Sequence, residues 1–113
     1  MLFVSIKPLS VNECWAGKRF KTPTYKKYET NVTLLLPRIE QLPPPPFQIE
    51  LHFGVSSSAA DFDNPTKPFV DILQKKYGFN DKLIHRAIIE KHLVPKGKEY
   101  IGFLITHYND KNI

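Results

Sequence analysis

Cysteine is nearly absent from this chain of 113 residues, which contains only Cys14. A single cysteine cannot form a disulfide within one chain, and this scarcity fits a reducing cytosol. The hydrophobic runs are too short to span a membrane, and residues 1–6 lack the length and cleavage pattern of a signal peptide. These absences predict a cytoplasmic protein with no membrane partner.

The short motifs of several enzyme classes are also missing. The chain has no glycine-rich phosphate-binding loop and no nucleophile elbow. Its histidines do not combine with Cys14 in a spacing typical of zinc sites. We therefore expect no small-molecule cofactor. The histidines in question are His52, His85, His92 and His107.

The composition is that of one small, basic, folded domain spanning residues 1–113. Hydrophobic residues make up 42% of the chain, which is enough for a core. A core of this size gives modest stability, which dimerisation would increase. The net charge of +5 favours a polyanionic partner, although many soluble proteins are equally basic without binding nucleic acid.

Hydrophobic periodicity predicts the order strand, helix, strand, helix, strand, strand. Thr22 and Pro23 are typical of a helix start, and Gly78 of a helix end. In the second strand, Phe47, Ile49, Leu51 and Phe53 alternate with Gln48, Glu50 and His52, which predicts two opposite faces. The expected elements are Leu2–Ile6, Pro23–Leu36, Phe47–Val55, Pro65–Tyr77, Leu83–Val94 and Glu99–Ile105, with a hairpin turn at Pro95–Lys98 joining the last two.

Carboxylates concentrate around the start of the second predicted helix. Asp61 and Asp63 would project to the same side if their segment is extended, and Asp81 follows the helix. Such carboxylates suit Mg²⁺, which can activate water and neutralise charge on a scissile phosphate. Lys67, one helical turn in, could hold the phosphate or the attacking water. The pattern thus indicates a metal-dependent phosphodiesterase site.

A structural explanation of the same residues competes with this hypothesis. Pro65 suits the first helical position, so Asn64 is the expected N-cap, and nearby aspartates favour a helix N-terminus. Asp81 could be an ordinary turn residue. Asp71 is spaced to pair with both Lys67 and Lys75 along the helix. On spacing alone, helix capping and metal binding both remain open.

A second concentration of charge is basic. Residues 16–21 form a basic loop containing Lys18, Arg19 and Lys21, and Lys26 and Lys27 follow in the first helix. The loop could be a solvated hairpin. It could also contact phosphates, with Trp15 and Phe20 available to pack on bases or sugars. The five cations are therefore candidate DNA-binding residues.

The chain resembles the RusA family of Holliday-junction resolvases, found largely in phages and prophages. The segment 61–73 is similar to the family motif Asp-Leu-Asp-Asn-x-x-Lys-x-x-x-Asp-x-Leu, and residues 8–12 are similar to its Pro-Ser-x-Asn entry. Residues 78–84 are similar to the turn that carries Asp-Asp before a strand, here Asn80-Asp81. Residues 89–91 and the Lys96-Gly97 turn also match. The chain departs from the pattern at residues 56–60, where some relatives carry arginines.

The resemblance implies a small mixed α/β (α+β) fold and a homodimer. It also implies an endodeoxyribonuclease that depends on Mg²⁺, with Mn²⁺ able to substitute, and that resolves four-way junctions in DNA recombination and repair. The family's metal-binding aspartates fall on Asp61, Asp63 and Asp81, and its important lysine on Lys67. Two alternatives stay open: a non-catalytic nucleic-acid-binding homologue, and a structural protein whose aspartates only cap a helix.

Overall fold

The structure, a computed structural model, describes residues 1–109 as an α+β domain with two helices and a mixed sheet, which confirms the predicted fold class. Strands β1, β4, β5 and β6 form the sheet, and β2 and β3 form a separate short hairpin. In chain order the elements are β1 (Leu2–Val4), β2 (Trp15–Ala16), β3 (Phe20–Lys21), α1 (Pro23–Leu35), β4 (Phe47–Val55), α2 (Thr66–Tyr77), β5 (Ile84–Leu93) and β6 (Tyr100–His107).

The strand order is β1-β6-β4-β5, with β4 parallel to β5 and antiparallel to β6. The predicted pairing of the last two strands as a hairpin is therefore wrong. The turn itself forms, since the Lys98 amide donates to the Pro95 carbonyl at 2.9 Å, but the chain then crosses β4. Leu51 and Phe53 are fully buried in β4, so the backbone of this strand needs partners on both sides.

The core lies between the helices and one face of the sheet. Phe53, Phe69 and Phe103 are fully buried, and their rings meet edge to face with centroids 6.5 and 5.7 Å apart. These rings join β4, α2 and β6. The alternation predicted for β4 is confirmed: Phe47, Ile49, Leu51 and Phe53 are buried, whereas Gln48, Glu50 and His52 are only partly buried on the other, outer face.

The ends of α1 follow the sequence closely, whereas the start of α2 does not. The Thr22 hydroxyl accepts a hydrogen bond from the Tyr25 amide at 3.1 Å, as expected of an N-cap. The predicted N-cap at Asn64 is wrong, because α2 begins at Thr66 with Pro65 in the cap position. Asn64 is engaged elsewhere, as described below. Gly78 ends α2 with φ +71°, which confirms the predicted cap.

Aromatic rings cover two glycines on the outer face of the sheet. A Cβ atom at Gly54 would lie 2.3 Å from the ring of Tyr100, and one at Gly102 would lie 2.8 Å from the ring of Phe3. The two rings contact each other edge to face at 5.8 Å. A larger side chain at either position would therefore require the neighbouring ring to move. Within residues 1–109 no helix has the length and apolar character needed to cross a membrane.

Candidate functional site

The candidate site lies in the chain that crosses from β4 to β5. After Val55, residues 56–65 form a loop that leads into α2. Lys91 on β5 fixes this loop, because its amine donates hydrogen bonds to the Ser58 carbonyl at 3.1 Å and the Ala60 carbonyl at 2.7 Å. The backbone is therefore held immediately before Asp61.

Asp61 and Asp63 border different clefts. The segment is bent and enters a turn instead of being extended, so the condition under which their carboxylates would project to one side is not met. A carboxylate oxygen of Asp61 accepts a hydrogen bond from the Asn64 side-chain amide at 2.8 Å. Asp61 borders a cleft of about 370 Å³ together with Lys7 and Asn12 from the N-terminal segment.

Asp63, Lys67 and Asp81 border a second cleft, of about 420 Å³, between α2 and β5. We call it the acidic cleft. Its floor is mostly apolar, and the two carboxylates and the amine are exposed around it. Three of the four predicted catalytic residues thus share one cavity. The floor consists of Ile49, Val70, Ile84, Ala87 and Ile89.

A chain of hydrogen bonds along α2 connects two residues of the acidic cleft. The Lys67 amine donates to an Asp71 carboxylate oxygen at 3.0 Å, and the Gln74 side-chain amide donates to that same oxygen at 3.2 Å. The Gln74 carbonyl oxygen accepts from the Asp81 backbone amide at 2.8 Å. Asp71 and Gln74 therefore set the positions of Lys67 and of the Asp81 backbone relative to one another.

The start of the 3-10 turn at Asp81–Leu83 is also fixed locally. The Asn80 side chain accepts a hydrogen bond from the Lys82 amide at 3.0 Å, as expected of a capping residue. Asn80 stands where the resemblance places the first residue of an Asp-Asp pair. Its role here is to shape the turn that presents Asp81.

The donor set of the acidic cleft fits Mg²⁺. This ion binds through one or two carboxylates and keeps several water molecules, and Asp63 and Asp81 supply two carboxylates at one cavity. Asp61 does not join them in a three-ligand cluster. Among residues 1–109, the group whose three ligand atoms lie within 4.8 Å of one another is His52, Glu90 and His92. A role for Asp61 as third ligand stays a prediction.

The predicted DNA-binding cations lie on the hairpin and on α1. Lys18 and Arg19 are exposed in the turn between β2 and β3, and Lys26 and Lys27 are exposed on α1. Lys21 is different, because its amine forms an ion pair with Glu29 at 2.9 Å. Four of the five cations are thus on the open surface.

Glu29 holds two lysines at once. Besides Lys21, it pairs with Lys75 at 3.2 Å, so the predicted pairing of Lys75 with Asp71 is wrong. The pairing of Lys67 with Asp71 is confirmed. Burial alone would raise the pKa of Glu29, but hydrogen bonds from Lys21 and Lys75 outweigh it and lower that pKa.

A groove connects the basic hairpin with the helix that borders the acidic cleft. Trp15 and Lys21 from the hairpin line it together with Asp71 and Gln74 from α2, while the Trp15 ring packs edge to face on Tyr25 at 5.8 Å. The hairpin and the acidic cleft therefore lie on either side of the same two α2 residues.

One group of chemically capable residues was not foreseen from the sequence. His52, Glu90 and His92 lie on the outer face of the sheet, and spacing relative to Cys14 gave no indication of them. The available signal was the pattern Glu-x-His, which occurs at residues 50–52 and again at 90–92.

No known family profile matches the chain, and no curated protein matches it significantly.

Proposed function

We propose that the protein is a Mg²⁺-dependent, structure-selective endodeoxyribonuclease that resolves four-way DNA junctions. The observation that carries this proposal is the acidic cleft, in which Asp63, Lys67 and Asp81 border one cavity. Two carboxylates that can hold a hard cation, beside an amine that can stabilise developing negative charge, suit phosphodiester hydrolysis. We propose that it acts in the cytoplasm and takes part in DNA recombination and repair.

Each residue of the site has a distinct role in this proposal. Asp63 and Asp81 hold the cation, and Asp61, which borders the neighbouring cleft, is the third candidate ligand. The bound ion would neutralise charge on the phosphate and favour a deprotonated water. Lys67 is oriented by Asp71 and stabilises the negative charge that develops during attack.

The proposal also requires affinity for DNA, which we assign to the basic hairpin and the adjoining start of α1. Lys18, Arg19, Lys26 and Lys27 contact phosphates and displace counterions, which accounts for binding that does not depend on sequence. The groove at Trp15 places this surface next to α2. The duplex arms would therefore cross the hairpin and α1 while one strand reaches the acidic cleft.

A homodimer follows from the substrate. One chain carries one acidic cleft, whereas resolution of a junction needs two coordinated nicks, which a two-fold dimer supplies at two-fold related positions. Light scattering at micromolar concentration, with and without junction DNA, should show a dimer. A monomer under both conditions would contradict this part of the proposal.

The central experiment is cleavage of a synthetic four-way junction in Mg²⁺ by wild type, Asp63→Asn and Asp81→Asn. We expect wild type to make paired symmetric nicks and both variants to lose cleavage while still binding the junction in Ca²⁺. Glu40→Gln, an exposed carboxylate outside the site, is the matched control and should cleave normally. Equal cleavage by wild type and Asp63→Asn would refute the assignment of the cleft.

A second candidate function is a non-catalytic homologue that only binds nucleic acid. Two observations favour it. The Lys67 amine already forms an ion pair with Asp71, and Asp61 borders the neighbouring cleft instead of the acidic cleft. Salt-sensitive junction binding without cleavage in Mg²⁺ or Mn²⁺ would support this function. A chain that neither cleaves nor binds DNA in a salt-dependent way would have aspartates that serve the fold alone.

A further inference from the structure

A cluster of metal-binding side chains lies on the outer face of the sheet, opposite the side that carries the helices. His52 on β4 and Glu90 and His92 on β5 each bring a ligand atom to within 4.8 Å of the others. We propose that these three residues form a site for a transition-metal dication such as Zn²⁺. This site is independent of the acidic cleft and of the nuclease proposal.

The register of the parallel pair creates the cluster from a repeated sequence pattern. Glu50 and His52 lie two residues apart on β4 and therefore share a face, as do Glu90 and His92 on β5. His52 is opposite Glu90 in the ladder. The offset places the carboxylate of one strand beside the imidazole of the other, and it brings the two imidazoles together.

Glu50 selects the tautomer that a metal needs. Its carboxylate lies 2.7 Å from Nε2 of His52, so that nitrogen carries the hydrogen and donates it. Nδ1 of His52 then presents a lone pair toward His92. A carboxylate that orients a histidine ligand through its second nitrogen is a usual feature of protein metal sites. Glu50 is thus a positioning residue, not a ligand.

The two imidazoles are separated by nearly the distance that a shared cation requires. Nδ1 of His52 and Nε2 of His92 are 2.8 Å apart, joined by a hydrogen bond, and the planes of their rings are within 14° of parallel, with centroids 5.1 Å apart. Tetrahedral Zn²⁺ with bonds near 2.1 Å separates its ligand atoms by about 3.4 Å. For an ion to take the place of the bridging hydrogen, His92 would change tautomer, with its proton on Nδ1 and the lone pair of Nε2 free for the metal, and the rings would move apart by roughly half an ångström.

The third ligand already has a suitable separation. A carboxylate oxygen of Glu90 lies 3.6 Å from Nε2 of His92, close to the distance between two ligands of one tetrahedral ion. Glu50 and Glu90 together bring two negative charges next to a dication. Two imidazoles and one carboxylate favour Zn²⁺ and related ions over Mg²⁺, which prefers oxygen ligands, and they leave a fourth position open.

Two glycines and one aromatic ring surround the imidazoles of the cluster. His52 is opposite Gly102 on β6, and His92 is opposite Gly54 on β4, so no side chain crowds either ring from these neighbours. Tyr100, which covers Gly54, also lies against His92 with nearly parallel rings at 6.5 Å. Ions can still reach the site, because 38% of the His92 side chain is exposed.

The competing explanation is a hydrogen-bonded imidazole pair that serves only to join β5 to β4. Calorimetric titration of chelator-treated protein with Zn²⁺ distinguishes the two. We expect one saturable ion per chain in wild type. Binding should weaken at least 100-fold in His92→Ala, which loses a ligand, and by about 10- to 100-fold in Glu50→Gln, which loses only the orienting carboxylate.

Three further variants make the test specific. Glu90→Gln changes a side chain that is 53% exposed, so it preserves the packing and the imidazole pair while removing a ligand; we expect binding to weaken by about tenfold or more. His85→Ala, on the same strand, and Asp63→Asn, in the acidic cleft, should bind Zn²⁺ like wild type. No saturable binding by wild type, or undiminished binding by Glu90→Gln, would overturn the proposal.

Discussion

The amine of Lys67 lies 3.0 Å from a carboxylate oxygen of Asp71, and 66% of the Lys67 side chain is exposed. An exposed ion pair of this kind along a helix contributes only about 0.3–0.5 kcal/mol to stability. Its effect on function is larger under the proposed mechanism, because it points the one amine of the acidic cleft along α2.

The first prediction concerns Lys67. If its amine stabilises charge that grows during attack, Lys67→Ala should lower single-turnover cleavage on the order of 100-fold or more, with junction binding in Ca²⁺ little changed. Lys67→Arg should not restore the rate, because the planar guanidinium places its donors differently. Normal cleavage by Lys67→Ala at saturating enzyme would reduce Lys67 to a partner of Asp71.

The second prediction concerns Gln74, which links Asp71 to the Asp81 backbone. Gln74→Met keeps the length of the side chain and removes these two hydrogen bonds, together with the weaker one to the Val70 carbonyl. We expect the Mg²⁺ concentration for half-maximal cleavage to rise by about 10-fold or more, because partners behind a ligand tune its affinity. Gln41→Met, in an exposed loop, is the control. An unchanged Mg²⁺ dependence would separate Gln74 from the site.

The third prediction distinguishes among the basic residues. Lys18→Ala and Arg19→Ala should each flatten the salt dependence of DNA binding by about one unit of slope, because each removes a phosphate contact. Lys21→Ala should change the slope less, since Glu29 already neutralises that amine. Fluorescence anisotropy over a salt series measures both effects. Equal slopes for wild type and a variant lacking Lys18 and Arg19 would place the DNA elsewhere.

The fourth prediction concerns Glu29 and acid stability. Its pKa is lowered in the folded protein, so the unfolded chain takes up its proton first as the pH falls. The stabilisation is present above the ordinary pKa of 4.5 and is lost as the pH drops below that value through the folded pKa. Glu29→Gln should lower the free energy of unfolding at pH 7 by on the order of 1 kcal/mol.

The control for this prediction is the pH dependence of the difference. Urea unfolding of wild type and Glu29→Gln should give curves that converge as the pH falls below 4.5, because protonated Glu29 no longer attracts Lys21 and Lys75. A difference that stays constant down to strongly acidic pH would show that the pair does not act through charge. Glu40 is exposed, and the control variant Glu40→Gln should have the same free energy of unfolding as wild type over the pH series.

Local signals in the sequence predicted the elements better than their pairing. The Thr22 cap, the alternation in β4 and Gly78 act over a few residues, and the structure confirms each of them. The Lys96-Gly97 turn is equally local and does form. The turn could not reveal that β4 lies between β5 and β6, the two strands that the turn joins. That placement depends on the buried backbone of β4, which must be hydrogen-bonded on both sides.

The candidate site shows the same division. Asp63 and Lys67 are only four residues apart at the start of α2, and this closeness in sequence favours a shared cleft. The position of Asp81 involves a distant partner, because its backbone amide donates to Gln74. Asp61 borders the other cleft and accepts a hydrogen bond from the Asn64 side-chain amide, a contact that spacing does not specify. The His52 cluster needs the parallel register as well, which no single stretch of sequence contains.

Parallel pairing of β4 with β5 also makes the order of folding matter for the site. Parallel neighbours cannot be joined by a tight turn, so the chain between β4 and β5 must cross back over the sheet, and α2 lies in that crossing. Asp61, Asp63, Lys67 and Asp81 all lie in that crossing segment between the two strands. During synthesis, therefore, the acidic residues emerge before the strand that supplies the floor of their cleft, and docking of β5 both finishes the sheet and assembles the site.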